Sequence, residues 1–133
     1  MDGEALRASE REGVAAEPVD LAHLARYTLG DRALEREVLE LFCGQSRVYL
    51  EQLHAARSEQ AWRDAAHSLK GSAQAVGAWR VADAARAAEI GKGTDVGDRP
   101  QVLAAIEASV AEANSFIRSL PATNEPRDSA ARD

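Results

Sequence analysis

The stretch from Asp31 to about Arg57 most constrains what this chain can fold into. It holds no proline and one glycine, Gly44, and its apolar residues recur at helical spacing. A helix of roughly 26 residues spans about 39 Å. Leu34, Val38, Leu41, Phe42, Val48, Tyr49 and Leu53 form an apolar face broad enough to touch two neighbours. Leu39 and Leu50 fall outside that face, to be covered by another helix or to join a docking surface. Asp31 is placed to cap the helix, and Gly30 ends the segment before it.

The rest of the chain carries the same period. Pro18 and Asp20 open a short helix, Asp20 to about Thr28, with Leu21, Leu24 and Ala25 on one side. Ser58 and Glu59 start a helix that ends at Gly77. A tight turn then leads into one from about Ala78 to Ile90, with Ala78, Val81, Ala82, Ala85 and Ala88 inward. The connector GKGTDVGDRP closes with Asp98 and Pro100 as start signals. Leu103, Ile106, Val110, Ala113, Ile117 and Leu120 then alternate spacings of three and four until Pro121 stops the helix. Hydrophobic residues make up 45% of the chain but aromatics only 5%, which favours close-packed helices over a β-sandwich. The expected fold is all-α: an antiparallel up-down four-helix bundle over residues 18–120, with the short N-terminal helix as a lid. Residues 1–17 and 121–133 are polar and aperiodic, and read as disordered tails.

Several function classes recede on composition. The 133 residues make one domain, and a net charge of -6 argues against a nucleic-acid surface. No run of about 18 apolar residues could cross a membrane, and the N-terminus lacks the pattern of a signal peptide. Cys43, the one cysteine, cannot form an internal disulfide, which fits a reducing cytoplasm. No metal site is expected, because His23, His54, His67 and Cys43 lack ligand spacing. Gly91-Lys92-Gly93-Thr94 lacks the upstream glycine of a phosphate loop and reads as a helix stop. His23 and His54 read as ordinary surface residues, and Trp62 and Trp79 as core or turn packing.

Function is concentrated in Ala66 to Ala78, AHSLKGSAQAVGA. At about 100° per residue, Trp62, Ala66, Leu69, Ala73 and Val76 fall within roughly 80° of one another and face the core. His67 points about 140° away from that stripe, with Gly71 one turn on along the outer side. Gln60, Arg63, Lys70 and Gln74 flank the pair. A glycine inside a helix costs about 1 kcal/mol relative to alanine, and on a solvent face no packing offsets this. The simplest account is that a side chain at Gly71 would obstruct something approaching His67.

The run His67-x-Leu-Lys-Gly-Ser-x-x-x-x-Gly77-Ala78 closely resembles the signature of histidine phosphotransfer (HPt) domains, four-helix bundles that pass a phosphoryl group between receiver aspartates and a histidine. The resemblance covers roughly residues 19 to 120, its specific part 66 to 78, and it departs at Val81 and Ala88, where the family tends to carry leucines. It implies that His67 is the phosphoacceptor, with Lys70 screening the phosphoryl oxygens and Gly71 keeping the surface flat. Ser72, Gln74, Arg63 and Gln60 become phosphoryl- or partner-contacting residues, while Gly77 and Ala78 make the turn and the close approach between two helices. An imidazole, with an ordinary pKa of about 6.5, keeps a large neutral fraction near pH 7. The implied partners are response-regulator receiver domains or a hybrid histidine kinase, with Mg²⁺ on the receiver and no cofactor on this chain. No ATP-binding region is present, so no autonomous kinase activity is expected, and the family implies a monomer. Two other readings stay open: the phosphoacceptor module of a chemotaxis-type kinase, and a helical adaptor that binds receivers without accepting phosphate.

Overall fold

The structure, a computed structural model, describes residues 17–91 and 96–121. The expected tails fall outside the described residues except for Glu17 and Pro121, as do Lys92, Gly93 and Thr94 of the connector. Among the described residues there are five α-helices and no strand: α1 (Leu21–Thr28), α2 (Arg32–Ala55), α3 (Glu59–Val76), α4 (Trp79–Glu89) and α5 (Arg99–Ser119), the last preceded by a 3-10 turn, Val96–Asp98. Three helices start on side chains legible in the sequence. Asp20 accepts from the amide of His23, Asp31 from that of Leu34, and Ser58 from that of Ala61, at 3.0 to 3.1 Å. Each pairs an amide the helix itself leaves bare, worth about 1 kcal/mol. Helix α5 begins differently. Asp98 makes no side-chain cap there; the 3-10 turn and Pro100 in the first turn set the entry instead.

Helices α2 to α5 close a ring: α3 packs on α2 and α4, and α5 on the same two. The α3 stripe is buried throughout, and Val81, Ala82, Ala85 and Ala88 of α4 lie against it. With only methyl groups along most of its inner face, α4 approaches α3 closely. Trp62 fills the space between them. It is fully buried, its indole N–H donates to the carbonyl of Ala88 at 3.3 Å, and the Arg99 guanidinium lies 5.1 Å from its ring centre. The α5 stripe from Leu103 to Ile117 is buried, with Leu120 half-buried at its end.

Helix α2 is rotated relative to the face expected from sequence. Leu39 is buried, close to Leu21 of α1 in a shared crevice, and Leu50 is half-buried against the core. Leu34, Leu41 and Val48, expected inside, are 40%, 58% and 47% exposed. The apolar pattern misleads at Ser46. It sits fully buried at the centre of the inner face, where its hydroxyl donates to the carbonyl of Cys43 at 3.0 Å and accepts from Asn114 at 3.4 Å. A satisfied hydroxyl costs little to bury, yet it interrupts the apolar pattern by which a sequence shows its inner face.

The end of α3 is clamped to the start of α1. Gly77 adopts φ 80°, a left-handed conformation that glycine takes without penalty. Its carbonyl accepts from the amide of Asp20 at 2.9 Å, and a Cβ there would stand 2.9 Å from the Asp20 carbonyl oxygen. Gly77 thus also lets the strap before α1 approach closely, a contact the sequence did not announce. Trp79 completes the clamp by donating to the Asp20 carboxylate at 3.0 Å. His23 donates through Nε2 to the carbonyl of Gln74 at 3.1 Å, while its ring meets Tyr27 and Trp79 edge-on. His23 thus has a structural task.

Candidate functional site

His67 stands on the outer surface of α3, its side chain 66% exposed. One turn on, a Cβ at Gly71 would meet nothing within 4 Å, so this glycine has no packing reason inside the fold. The residue that organises the site is Glu89, the last of α4. One of its oxygens lies 2.6 Å from His67 Nδ1 and the other 2.6 Å from Lys70 Nζ. His67 and Lys70 are thus held by a single carboxylate. The Lys70 ammonium, hydrogen-bonded to it, is the main cause holding the Glu89 carboxyl below its usual range; His67 adds to this, and partial burial opposes it. Glu89 is therefore a carboxylate at neutral pH and can only accept. The proton of the neutral imidazole is assigned to Nδ1 by that partner, and Nε2 is left with a free lone pair facing solvent.

Glu89 is absent from the residues singled out in the sequence. Its weak signals are two: it stands nearly as far beyond the Gly77–Ala78 turn as His67 stands before it, and it is an acidic residue at a helix C-terminus, where the helix dipole disfavours one. A favourable partner across the hairpin answers that cost.

The remaining sequence candidates have other partners. Arg63 pairs with Glu59 at 2.9 Å and Gln60 donates to Asp64 at 2.7 Å, so both lie along the surface of their own helix. Ser72 is half-buried and turned to α2, its hydroxyl donating to Gln45 at 3.4 Å. Gln74 is exposed, with its carbonyl occupied by His23. Ala78 is fully buried and, with Gly77, shapes the turn. Away from the site, His54 pairs with Glu107 on α5. Burial pushes the Cys43 thiol up, so it stays protonated and poorly nucleophilic. Among the described residues no group of three or more His, Cys, Asp or Glu side chains could hold a metal ion, and no helix is long and apolar enough to cross a membrane.

The arrangement offers one exposed nitrogen nucleophile, a carboxylate to balance positive charge on its ring, an ammonium one turn away, and open space beside it. A family model described as the Hpt domain matches residues 37–116. Neither the curated proteins nor the solved structures give a match to the chain.

Proposed function

The chain belongs to the Hpt domain family, and from that premise we propose that His67 accepts a phosphoryl group from a receiver-domain aspartate and passes it to another receiver in a multistep phosphorelay. Membership itself places the chain in histidine phosphotransfer of two-component signalling, where such domains interact with receiver domains and kinases. Within this reading the four longer helices run antiparallel, as the three-residue link between α2 and α3 and the two-residue turn between α3 and α4 support. The protein acts as a monomer in the cytoplasm of a bacterial-type system.

The observation that carries the proposal is the Glu89 bond to Nδ1, which leaves Nε2 as the nucleophile. In the forward step the Nε2 lone pair attacks phosphorus in line. The P–O bond to the aspartate breaks, and its electron pair leaves with the receiver carboxylate. The ring, protonated on Nδ1 and phosphorylated on Nε2, becomes cationic, and the Glu89 carboxylate balances that charge. Lys70, one turn from His67, is placed to swing from Glu89 to the phosphoryl oxygens. The reverse sequence delivers the group onward. This chain supplies nucleophile and positioning, while the receiver supplies Mg²⁺ and its acidic pocket.

The test is transfer from receiver domains charged with labelled phosphate in Mg²⁺, comparing wild type, His67→Gln and His54→Gln. Acid-labile, base-stable label on wild type and His54→Gln, and none on His67→Gln, is expected. Label delivered only by a kinase ATP-binding domain would replace the relay with the kinase-module reading. Receiver binding without label from either source would leave an adaptor.

A further inference from the structure

Lys70 and Glu89 lie on the α4 flank of His67 and pair with each other, so their charges cancel before any phosphoryl group arrives. Arg63, on the same flank, is likewise cancelled by Glu59. The opposite flank, toward α2, carries Asp64. At about 100° per residue it stands roughly 60° round α3 from His67, beside Gly71 and away from Lys70. Asp64 is exposed, and with Ala61, Ala65 and Ser68 it lines an open groove between α3 and the end of α2. Gln60 donates its amide to the carboxylate at 2.7 Å, which orients the group without neutralising it. Among the described residues no cation pairs with Asp64. Arg57 borders the same groove from before the start of α3, well removed from His67.

The orientation of the imidazole makes this charge matter. Glu89 holds Nδ1 from the α4 side, and the two ring nitrogens point widely apart, so Nε2 is turned from α4. A phosphoryl group on Nε2 therefore extends away from Glu89, over the outer face where Gly71 and Asp64 stand. Residues three apart on a helix have Cβ atoms about 5–6 Å from each other. The phosphoryl oxygens and the Asp64 carboxylate thus come within about one Debye length, roughly 8 Å at physiological salt. Negative groups that close across solvent repel. The cationic ring offsets part of the phosphoryl charge, and Lys70 offsets more only by releasing Glu89.

We propose that Asp64 sets the energy of the phosphorylated state: its carboxylate raises phospho-His67 relative to the unmodified histidine and biases the group toward the receiver aspartate. The inference rests on the phosphotransfer reading and deepens it. The favoured step breaks the Nε2–P bond, whose electron pair returns to the ring nitrogen, and forms a P–O bond with the receiver carboxylate. The proton on Nδ1 stays in place. Asp64 touches neither bond, so it acts on the position of equilibrium through charge alone. Such a chain is a transient carrier, one that holds little phosphoryl at rest and gives it up readily to a receiver whose Mg²⁺ neutralises the product.

The test uses the full chain and a panel of receiver domains in Mg²⁺, continuing with the receiver that exchanges fastest. Mixtures are started from either side, with the receiver charged by acetyl phosphate or His67 charged by phosphoramidate, each donor then removed. The ratio of phosphohistidine to phosphoaspartate on which both converge is the readout. Relative to wild type at the same salt, Asp64→Asn should raise that ratio about three- to tenfold at about 20 mM salt. At about 0.5 M salt the rise should be less than about twofold, because screening shortens the range of the repulsion. Asp64→Glu keeps the charge and should stay within about twofold of wild type. So should Glu112→Gln, which removes an equal charge from α5, the helix that packs on α2 and α4 rather than on α3. Circular dichroism checks that each variant folds. An unchanged ratio in Asp64→Asn at low salt overturns the inference while leaving phosphotransfer standing. A shift that salt does not reduce marks a structural effect and also overturns it. A slower approach from both sides to the wild-type ratio marks a contact with the receiver or its Mg²⁺, and overturns it too. If the wild type exchanges with no receiver, the phosphotransfer reading falls and this inference with it.

Discussion

The two glycines of the His67 run give a sharp test when each is replaced by alanine, because their surroundings demand opposite signs. At Gly77 an alanine must hold a left-handed φ of 80°, which costs about 1–2 kcal/mol. Its Cβ would also sit 2.9 Å from the Asp20 carbonyl oxygen and 3.0 Å from the Asp20 Cβ. Neither atom is the end of a flexible side chain, so the strap before α1 must move. That movement loosens the Asp20-to-Gly77 backbone bond, worth about 1 kcal/mol. Gly77→Ala should therefore destabilise by about 2–3 kcal/mol. At Gly71 the backbone is helical and the added methyl meets nothing, so Gly71→Ala should stabilise by about 1 kcal/mol. Urea unfolding followed by circular dichroism measures both, and the two variants should be separated by about 3–4 kcal/mol at a shared m-value. A loss below 0.5 kcal/mol at Gly77, on the order of an ordinary surface substitution, refutes the clamp. A loss at Gly71 refutes the claim that this glycine serves something outside the fold.

Three further outcomes follow from the site and the core. Glu89→Gln replaces a charged acceptor with a neutral one, so ¹⁵N NMR should show the Nδ1–H form of His67 losing its dominance, and transfer should slow by about tenfold; an unchanged tautomer and rate would remove Glu89 from the mechanism. Because the folded carboxyl of Glu89 titrates below its unfolded value, its contribution to stability is complete above about pH 4.3. It is lost as pH falls through the lower folded value, so the stability gap between wild type and Glu89→Gln should narrow only in acid below about pH 4.3; narrowing already between pH 6 and 5 would contradict it. Trp62→Phe removes the bond to the Ala88 carbonyl and opens space between α3 and α4, so unfolding free energy should fall by about 2–3 kcal/mol, and a loss under 1 kcal/mol would show that the bond and fit contribute little.

What the sequence determined by itself was local or periodic. The caps at Asp20, Asp31 and Ser58 follow from short polar side chains bonding amides three residues on, and the α3 and α5 stripes from a period of 3.6 residues. The exposed histidine beside a costly glycine was legible for the same reason, since both stand on one helix at known angles. What only the tertiary structure decided involves a second element. Glu89 reaches His67 because α4 folds back along α3, and its own neighbourhood gives only weak signals of that. Helix α2 buries Ser46, whose hydroxyl finds partners in Cys43 and Asn114, and exposes Leu41 and Val48. Gly77 is needed for the left-handed φ that ends α3 and also because Asp20 comes to lie against it, and only the second reason required the tertiary structure. Periodicity reports which residues share a face; which face turns inward is decided by the elements from distant parts of the chain that pack against it.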